Sequence, residues 1–191
     1  MLEYKNGMNM VKTESSQNLE TGQKAPDFNL IGVDGKFYSL NDFNSKTLLI
    51  IFMCNHCPFV KASIKDIIDL QSHFKEDELR ILGINSNDPE YEEEGFENMK
   101  QFAQEYKINF PYLFDETQEI AKTYGAVCTP DPYLFDMEKR LVFHGKINDA
   151  KNPESKPTRD IMKENIQKVL KDEKIVKDFD PSIGCSIKWK S

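Results

Sequence analysis

The sequence predicts an α/β fold of three layers, in which a central mixed sheet is flanked by helices and preceded by an N-terminal β-hairpin. Residues 48–52 and 79–84 are short, continuous apolar runs, as in strands buried on both faces. A helical pattern with one apolar face follows each run. Chains in which strands alternate with helices place the helices on both faces of one sheet.

The first half of the chain supplies the hairpin, then a buried strand and the helix that follows it. Residues 25–43 alternate apolar and polar side chains around Asp34-Gly35, which is a strong hairpin turn signal. Residues 47–52 then predict a buried strand, and Pro58 suits the first turn of the helix that follows. The apolar positions of that helix are Val60, Ile64, Ile67, Ile68 and Phe74.

The second half continues the alternation and ends in a hairpin and a helix. The elements predicted after strand 79–84 are a helix with apolar residues from Phe96 to Tyr106, a strand over 110–114, a short helix over 116–124, a hairpin of 133–135 with 141–147, and a helix around 161–170. Gly125 is expected to cap the short helix in the left-handed conformation. His73 and His144 are expected to be structural or solvated, with His144 on the less buried face of its strand. The acidic run 92–94 is expected to be a solvated loop or helix start.

Length and composition indicate one domain with two polar ends. The 191 residues suit a single core. We expect residues 1–21 to be a flexible leader, 22–173 the folded domain, and 174–191 a tail containing Cys185.

Charge and the N-terminal pattern exclude several classes of partner. The net charge of −7 argues against nucleic acid and anionic membrane surfaces. The N-terminus lacks the apolar core of a signal peptide, so a cytoplasmic protein is expected. In that reducing compartment the four cysteines are more often catalytic, sensing or metal-binding than structural.

The motif CNHCP, residues 54–58, is the strongest chemical signal. It places two thiols one helical turn apart where a buried strand gives way to a helix. We expect the helix N-terminus to lower the pKa of Cys54, which attacks a disulfide, and Cys57 to resolve the mixed intermediate. The alternatives are an inert buried pair and a chemistry that uses Cys54 alone.

Several further motifs make the chain resemble the thioredoxin-fold redoxins. They are APDFNL with DGKFYSLNDF, IIFMCNHCPFVK, GINSND, FPYLFDETQEIAKTYGAVCTPDPYLFD and PSIGCSIKWK. From about residue 22 onward the sequence is similar to the alkyl hydroperoxide reductase/thiol-specific antioxidant group, in its peroxiredoxin-like thioredoxin family branch. The resemblance implies a thioredoxin-like fold.

The resemblance also assigns residues around the motif. His56 stands where strongly oxidising members carry histidine, so an imidazolium there would favour the thiolate; an exposed residue without influence is the alternative. Thr129-Pro130 matches the loop whose cis proline faces the cysteines, and the backbone of Thr129 would bind an extended substrate by edge pairing. Met53 and Asn55, which flank Cys54, are expected to contact substrate as well.

The other two cysteines are secondary redox candidates. Cys128 immediately precedes the proline loop, and Cys185 reaches the motif only if the tail folds back. Each could form a second disulfide or relay oxidation away from Cys54. The alternative for each is a structural thiol.

Departures from the family pattern weaken the case for peroxide reduction and also remove a group that disulfide exchange normally uses. The positions that hold proline and threonine or serine before a peroxidatic cysteine are Thr47 and Ile51, and isoleucine donates no hydrogen bond to peroxide. The buried carboxylate that thioredoxins carry before the motif is replaced by Leu48, so another base or water must move the proton.

The sequence therefore predicts a thiol–disulfide oxidoreductase. Its substrate would be a protein or small-molecule disulfide or thiol, and its reductant a cellular thiol, with no organic cofactor and no metal. A thiol-dependent peroxidase using Cys54 and a metal-binding or redox-sensing module remain alternatives. One CxxC supplies only two of the four ligands of a structural zinc site. The sequence assigns no oligomeric state.

Overall fold

The computed structural model describes residues 12–191 and is built around an eight-stranded mixed sheet. The strands in chain order are β1 (Lys12–Glu14), β2 (Asn29–Gly32), β3 (Phe37–Ser39), β4 (Thr47–Phe52), β5 (Leu79–Asn85), β6 (Tyr112–Phe114), β7 (Cys128–Thr129), β8 (Asp131–Phe135), β9 (Leu141–Gly145), β10 (Phe179–Asp180) and β11 (Ile183–Ser186). The helices are α1 (Pro58–His73), α2 (Phe96–Tyr106), α3 (Glu119–Tyr124) and α4 (Ile161–Leu170).

The large sheet has the strand order β10-β9-β8-β4-β5-β6-β2-β3. Strand β4 lies near its centre, parallel to β5 and antiparallel to β8, and all six of its residues are buried. Its alternate side chains enter two apolar clusters, one on each face of the sheet. Helices α1, α2 and α4 contribute to one cluster and α3 to the other. The predicted three-layer arrangement is confirmed.

The N-terminal hairpin is also confirmed. Strands β2 and β3 pair antiparallel, with Asn29 opposite Ser39. Gly35 in the turn has a φ of +81°, a conformation that glycine adopts without steric cost.

Two element boundaries differ from the sequence prediction. Strand β6 begins at Tyr112 rather than at residue 110, and α3 begins at Glu119 rather than at 116. Between them the backbone amide of Gln118 donates a hydrogen bond to the Asp115 carbonyl, and the backbone amide of Ala121 donates one to the Asp115 carboxylate. Gln118 has a left-handed backbone conformation with a φ of +64°, so the right-handed helix begins only after it.

The two chain ends differ most from the prediction. Residues 1–11 of the predicted leader lie outside the described residues, but residues 12–14 form β1, which pairs antiparallel with β11. The predicted tail is part of the fold, because β10 extends the large sheet and β11 lies between β1 and β7 in a second, three-stranded sheet. Within residues 12–191, no helix has the length and apolar character needed to cross a membrane.

Candidate redox active site

The motif CNHC connects the carboxyl end of β4 to the amino end of α1. Cys57 is the N-cap of α1 and Pro58 its first residue, as the sequence predicts. Both Cys54 and Cys57 have no exposed surface. In this closed arrangement both thiols are therefore shielded from solvent, although the attack predicted for Cys54 requires an accessible sulfur.

The thiol with the lowered pKa is Cys57 and not Cys54. Burial raises the pKa of Cys54, and the nearby Glu94 carboxylate acts in the same direction. Burial also opposes ionisation of Cys57, but hydrogen bonds from Cys185 and Cys54 outweigh it and lower the pKa of Cys57. The position of Cys57 at the helix N-terminus favours the same charge. The expectation of a lowered pKa at Cys54 is thus wrong for this closed state.

A buried carboxylate, Glu94, holds the motif in place. Its Oε1 accepts hydrogen bonds from the backbone amides of Asn55 and His56 at 3.1 and 3.2 Å and lies 2.5 Å from His56 Nδ1. Its Oε2 accepts from Asn85 Nδ2 at 2.6 Å. The prediction that the acidic run is solvated is wrong for Glu94, which is 2% exposed, while Glu92 and Glu93 are exposed.

Glu94 also brings a carboxylate close to Cys54, in a site where Leu48 stands in place of the carboxylate that thioredoxins carry. A ligand atom from each of Cys54, His56 and Glu94 lies within 4.8 Å of the others. These three residues could offer atoms to a metal ion, but the imidazole and the carboxylate already bind one another. The arrangement is better suited to moving a proton to and from the Cys54 sulfur.

The pKa of Glu94 predicts a loss of stability in acid. Burial alone would raise this pKa, but the hydrogen bonds from His56 and Asn85 lower it below its ordinary value of 4.5. The resulting stabilisation is complete above 4.5 and is lost as the pH falls through the folded-state pKa. We expect urea unfolding to show a larger loss of free energy from about pH 6 to about pH 3 in the wild type than in Glu94→Gln. Equal losses in the two proteins would contradict this assignment, and Glu93→Gln serves as the exposed control.

Thr129-Pro130 contacts both sulfurs from the neighbouring strand. The peptide bond is cis, as expected. Thr129 Oγ1 is 3.1 Å from Cys54 Sγ, and the Thr129 carbonyl oxygen is 3.2 Å from Cys57 Sγ, where it accepts a hydrogen bond when Cys57 is a thiol. However, Thr129 does not present a free strand edge to a substrate, because β7 is paired with β11. The predicted substrate edge is occupied by the chain's own C-terminal strand.

Met53 and Asn55 do not form a substrate surface in this structure. Met53 is fully buried, and a Cβ on Gly83 would lie 2.7 Å from its Sδ. The Asn55 side chain accepts a hydrogen bond from Tyr112 at 2.9 Å and donates one to the Glu93 carbonyl at 3.0 Å. Met53 packs in the core, and Asn55 braces the motif.

Of the two secondary candidates, Cys185 is the one that reaches the motif. Its Sγ lies 2.8 Å from Cys57 Sγ. Cys128 points elsewhere: its Sγ is 3.9 Å from Ser182 Oγ, and burial raises its pKa. All four cysteines are buried.

A second buried polar group adjoins the site and was missed in the sequence. His144 has no exposed surface, contrary to prediction, and its Nε2 lies 2.7 Å from Asp131 Oδ1. Ser182 donates to the same carboxylate oxygen at 3.2 Å. The signal available in the sequence was an aspartate inside a strand whose other residues are apolar. The network ties β8 and β9 to the chain just before β11.

Comparisons with known proteins agree with this fold. The profile of the AhpC/TSA family matches residues 21–144. An uncharacterized conserved protein from Geobacillus kaustophilus is 40% identical, with a TM-score of 0.89 over 96% of this chain and 98% of that chain. The thiol-disulfide oxidoreductase ResA from Bacillus thuringiensis subsp. konkukian (strain 97-27) is 25% identical over 126 residues, covering 66% of this chain and 69% of ResA. The thioredoxin domain of a thiol-disulfide oxidoreductase from Bacteroides vulgatus has a TM-score of 0.64 at 23% identity, over 80% of this chain and 99% of that domain, which confirms the thioredoxin-like fold.

Proposed function

Because the chain belongs to the AhpC/TSA family, we propose that it is a thiol–disulfide oxidoreductase that works through Cys54 and Cys57. The observation that carries the proposal is the pair of thiols between β4 and α1, with Thr129-Pro130 against both sulfurs. The similarity to curated proteins named thiol-disulfide oxidoreductase supports it. The enzyme exchanges its dithiol for the disulfide of a protein or small molecule, and a cellular thiol restores it.

Cys54 attacks the substrate and Cys57 completes the exchange. Burial raises the pKa of Cys54, so its sulfur is held as a thiol. Because the thiolate is the nucleophile, a base must take up this proton before the sulfur attacks. The His56–Glu94 pair, with an atom of each residue within 4.8 Å of the Cys54 sulfur, is the proton acceptor in this scheme. The Cys54 thiolate forms a bond to one substrate sulfur and the other leaves as a thiolate. Cys57 then attacks Cys54, which releases the first substrate sulfur and leaves the Cys54–Cys57 disulfide.

His56 acts in this scheme together with its carboxylate partner. Its side chain is 6% exposed, and its Nδ1 lies 2.5 Å from Glu94 Oε1. An imidazolium there would be neutralised in part by Glu94, so its influence on Cys54 depends on both residues. The role of His56 in adjusting the reactivity of Cys54, inferred from the sequence, stays a prediction. In this structure it would be exerted by His56 and Glu94 together.

Peroxide reduction is less well supported by the surroundings of the motif. Ile51 is fully buried and offers no hydroxyl group. Thr47 has a hydroxyl, but it donates to the Glu78 carbonyl at 2.7 Å, at the opposite end of β4 from the motif. The metal-binding alternative has three groups close enough to share an ion, Cys54, His56 and Glu94, and two of them, His56 and Glu94, already bind one another. Disulfide exchange requires neither a hydroxyl group at position 51 nor a set of metal ligands.

The test is a disulfide-exchange assay with single variants. Reduced protein is mixed with glutathione disulfide, quenched in acid, alkylated and mapped by peptide mass spectrometry. We expect the wild type to form the Cys54–Cys57 disulfide and to reduce a protein disulfide catalytically. Cys54→Ser should lower that turnover to background, because a serine hydroxyl is not ionised at neutral pH.

The matched control for this assay is Cys128→Ser, which alters a buried thiol that does not contact the motif. It should keep wild-type turnover. Full activity in Cys54→Ser would refute the proposed function. Turnover of hydrogen peroxide far above that of disulfides would favour the peroxidase alternative.

A further inference from the structure

The C-terminal strand brings a third thiol into the redox centre. Strand β11 pairs antiparallel with β7, which places Cys185 opposite Thr129. Thr129 is the residue that contacts both sulfurs of the motif. Cys185 is 2% exposed, and its Sγ is 2.8 Å from Cys57 Sγ. Three sulfurs therefore meet in one buried pocket beside the cis proline.

The position of β11 is fixed by contacts on both sides of Cys185. Ser182 exchanges hydrogen bonds with Ser15 at 2.9 and 3.0 Å, which joins β11 to the N-terminal segment. Beyond the strand, Ile187 is buried, and the Ile187 amide donates to the Val127 carbonyl at 3.0 Å. Gly184 lies against β7 so closely that a Cβ would be 1.9 Å from the Thr129 carbonyl oxygen. The approach of Cys185 to Cys57 is thus built into the fold.

Resting on the proposed function, we propose that Cys185 is a third redox-active thiol, which converts the Cys54–Cys57 disulfide into a Cys57–Cys185 disulfide. The Cys185 thiolate attacks Cys57 Sγ, so that the Cys57–Cys185 bond forms as the Cys54–Cys57 bond breaks. The electron pair of the broken bond leaves on Cys54 Sγ, which takes up a proton equal to the one that Cys185 lost. The step is an isomerisation and needs no oxidant beyond the substrate disulfide that oxidised the pair.

The exchange regenerates the attacking thiol while the chain stays oxidised. Cys54 returns to its reduced form beside the Thr129 hydroxyl and the His56–Glu94 pair. The disulfide moves to Cys57 and Cys185, where β11 and α1 meet. Reduction of the enzyme would then act on the Cys57–Cys185 bond and not on Cys54. The reductant and the substrate thus meet different sulfurs.

Cys128 is the internal comparison for this proposal. It is equally buried and belongs to β7, yet its Sγ faces Ser182 rather than the motif. If burial in this region were sufficient for redox activity, Cys128 would take part as well. The proposal instead predicts that only Cys185 joins the exchange.

The test maps disulfides in the full chain after oxidation by glutathione disulfide, acid quench and alkylation. We expect the wild type to give peptides linked through Cys57 and Cys185 in addition to the Cys54–Cys57 link. In Cys54→Ser, glutathione is expected to join Cys57 and then be displaced by Cys185, so the Cys57–Cys185 link becomes the main product. Cys185→Ser should retain only the Cys54–Cys57 link, and Cys128→Ser both links.

The outcomes separate this inference from the proposed function. If the wild type forms Cys54–Cys57 alone and Cys54→Ser stops at glutathionylated Cys57 with Cys185 alkylated, the third thiol is refuted and the oxidoreductase stands. If neither link forms and no disulfide is turned over, both proposals fail. Because the wild-type measurement uses no substitution, the inference remains testable even where a variant does not fold.

Discussion

Glu94→Ala is expected to lower the free energy of unfolding by about 3 kcal/mol or more, and to reduce disulfide turnover in the protein that still folds. The carboxylate is buried. It accepts hydrogen bonds from the backbone amides of Asn55 and His56, from the His56 ring and from the Asn85 side chain. Removing it leaves these donors without their acceptor in a shielded site, which costs about 1–3 kcal/mol for each unsatisfied group. Breaking a buried charged pair costs about 3–5 kcal/mol.

Urea unfolding measures the first effect, and turnover as a function of pH measures the second. Glu94→Gln keeps an acceptor for the two amides and should lose less stability, yet its turnover should depend on pH differently because the carboxylate is gone. Glu93→Ala is the matched control, since the side chain of Glu93 is 70% exposed and pairs with Lys61 at the surface. Wild-type stability in Glu94→Ala would show that Glu94 does not hold the motif.

Gly184→Ala is expected to open the site. The added Cβ would lie 1.9 Å from the Thr129 carbonyl oxygen and 2.5 Å from its carbon, so β11 and β7 cannot keep their register. Overpacking of this kind costs about 1–3 kcal/mol. If alkylation proceeds through an opened state, that cost corresponds to about 5- to 150-fold faster labelling of Cys54, Cys57 and Cys185.

Alkylation kinetics followed by mass spectrometry, together with amide hydrogen exchange across β7 and β11, measure this opening. Val176→Ala is the control, because Val176 belongs to the same C-terminal region and is 91% exposed. Unchanged labelling rates in Gly184→Ala, with β11 still protected from exchange, would mean that the strand does not shield the thiols.

The sequence sufficed for the elements with strong local signals. The continuous apolar run of β4, the hairpin turn at Asp34-Gly35 and the helical periodicity of α1 each reflect local physical chemistry, and each was predicted correctly. The predicted position of the CNHC motif, between β4 and α1, rests on the correct prediction of these two elements. The cis bond before Pro130 came from the resemblance to a family and not from the spacing of residues.

The features that the sequence did not predict depend on contacts between distant segments. Glu94 sits in an acidic run typical of solvent-exposed loops, and only its approach to residues 54–57 identifies it as buried. His144 was misassigned because the alternation along its strand gives no sign of Asp131 on the neighbouring strand. Cys185 was a candidate in the sequence, but its contact with Cys57, 128 residues away, depends on the folded tail, which local patterns do not reveal.

The small sheet couples the two ends of the chain to each other. Strand β11 has β7 on one side and β1 on the other, with Lys12 opposite Cys185. Removal of residues 12–14 would therefore expose one edge of the strand that carries Cys185. Changes in that segment are accordingly a chemical variable for this protein, and sulfur reactivities compared between preparations require β1 to be intact in each.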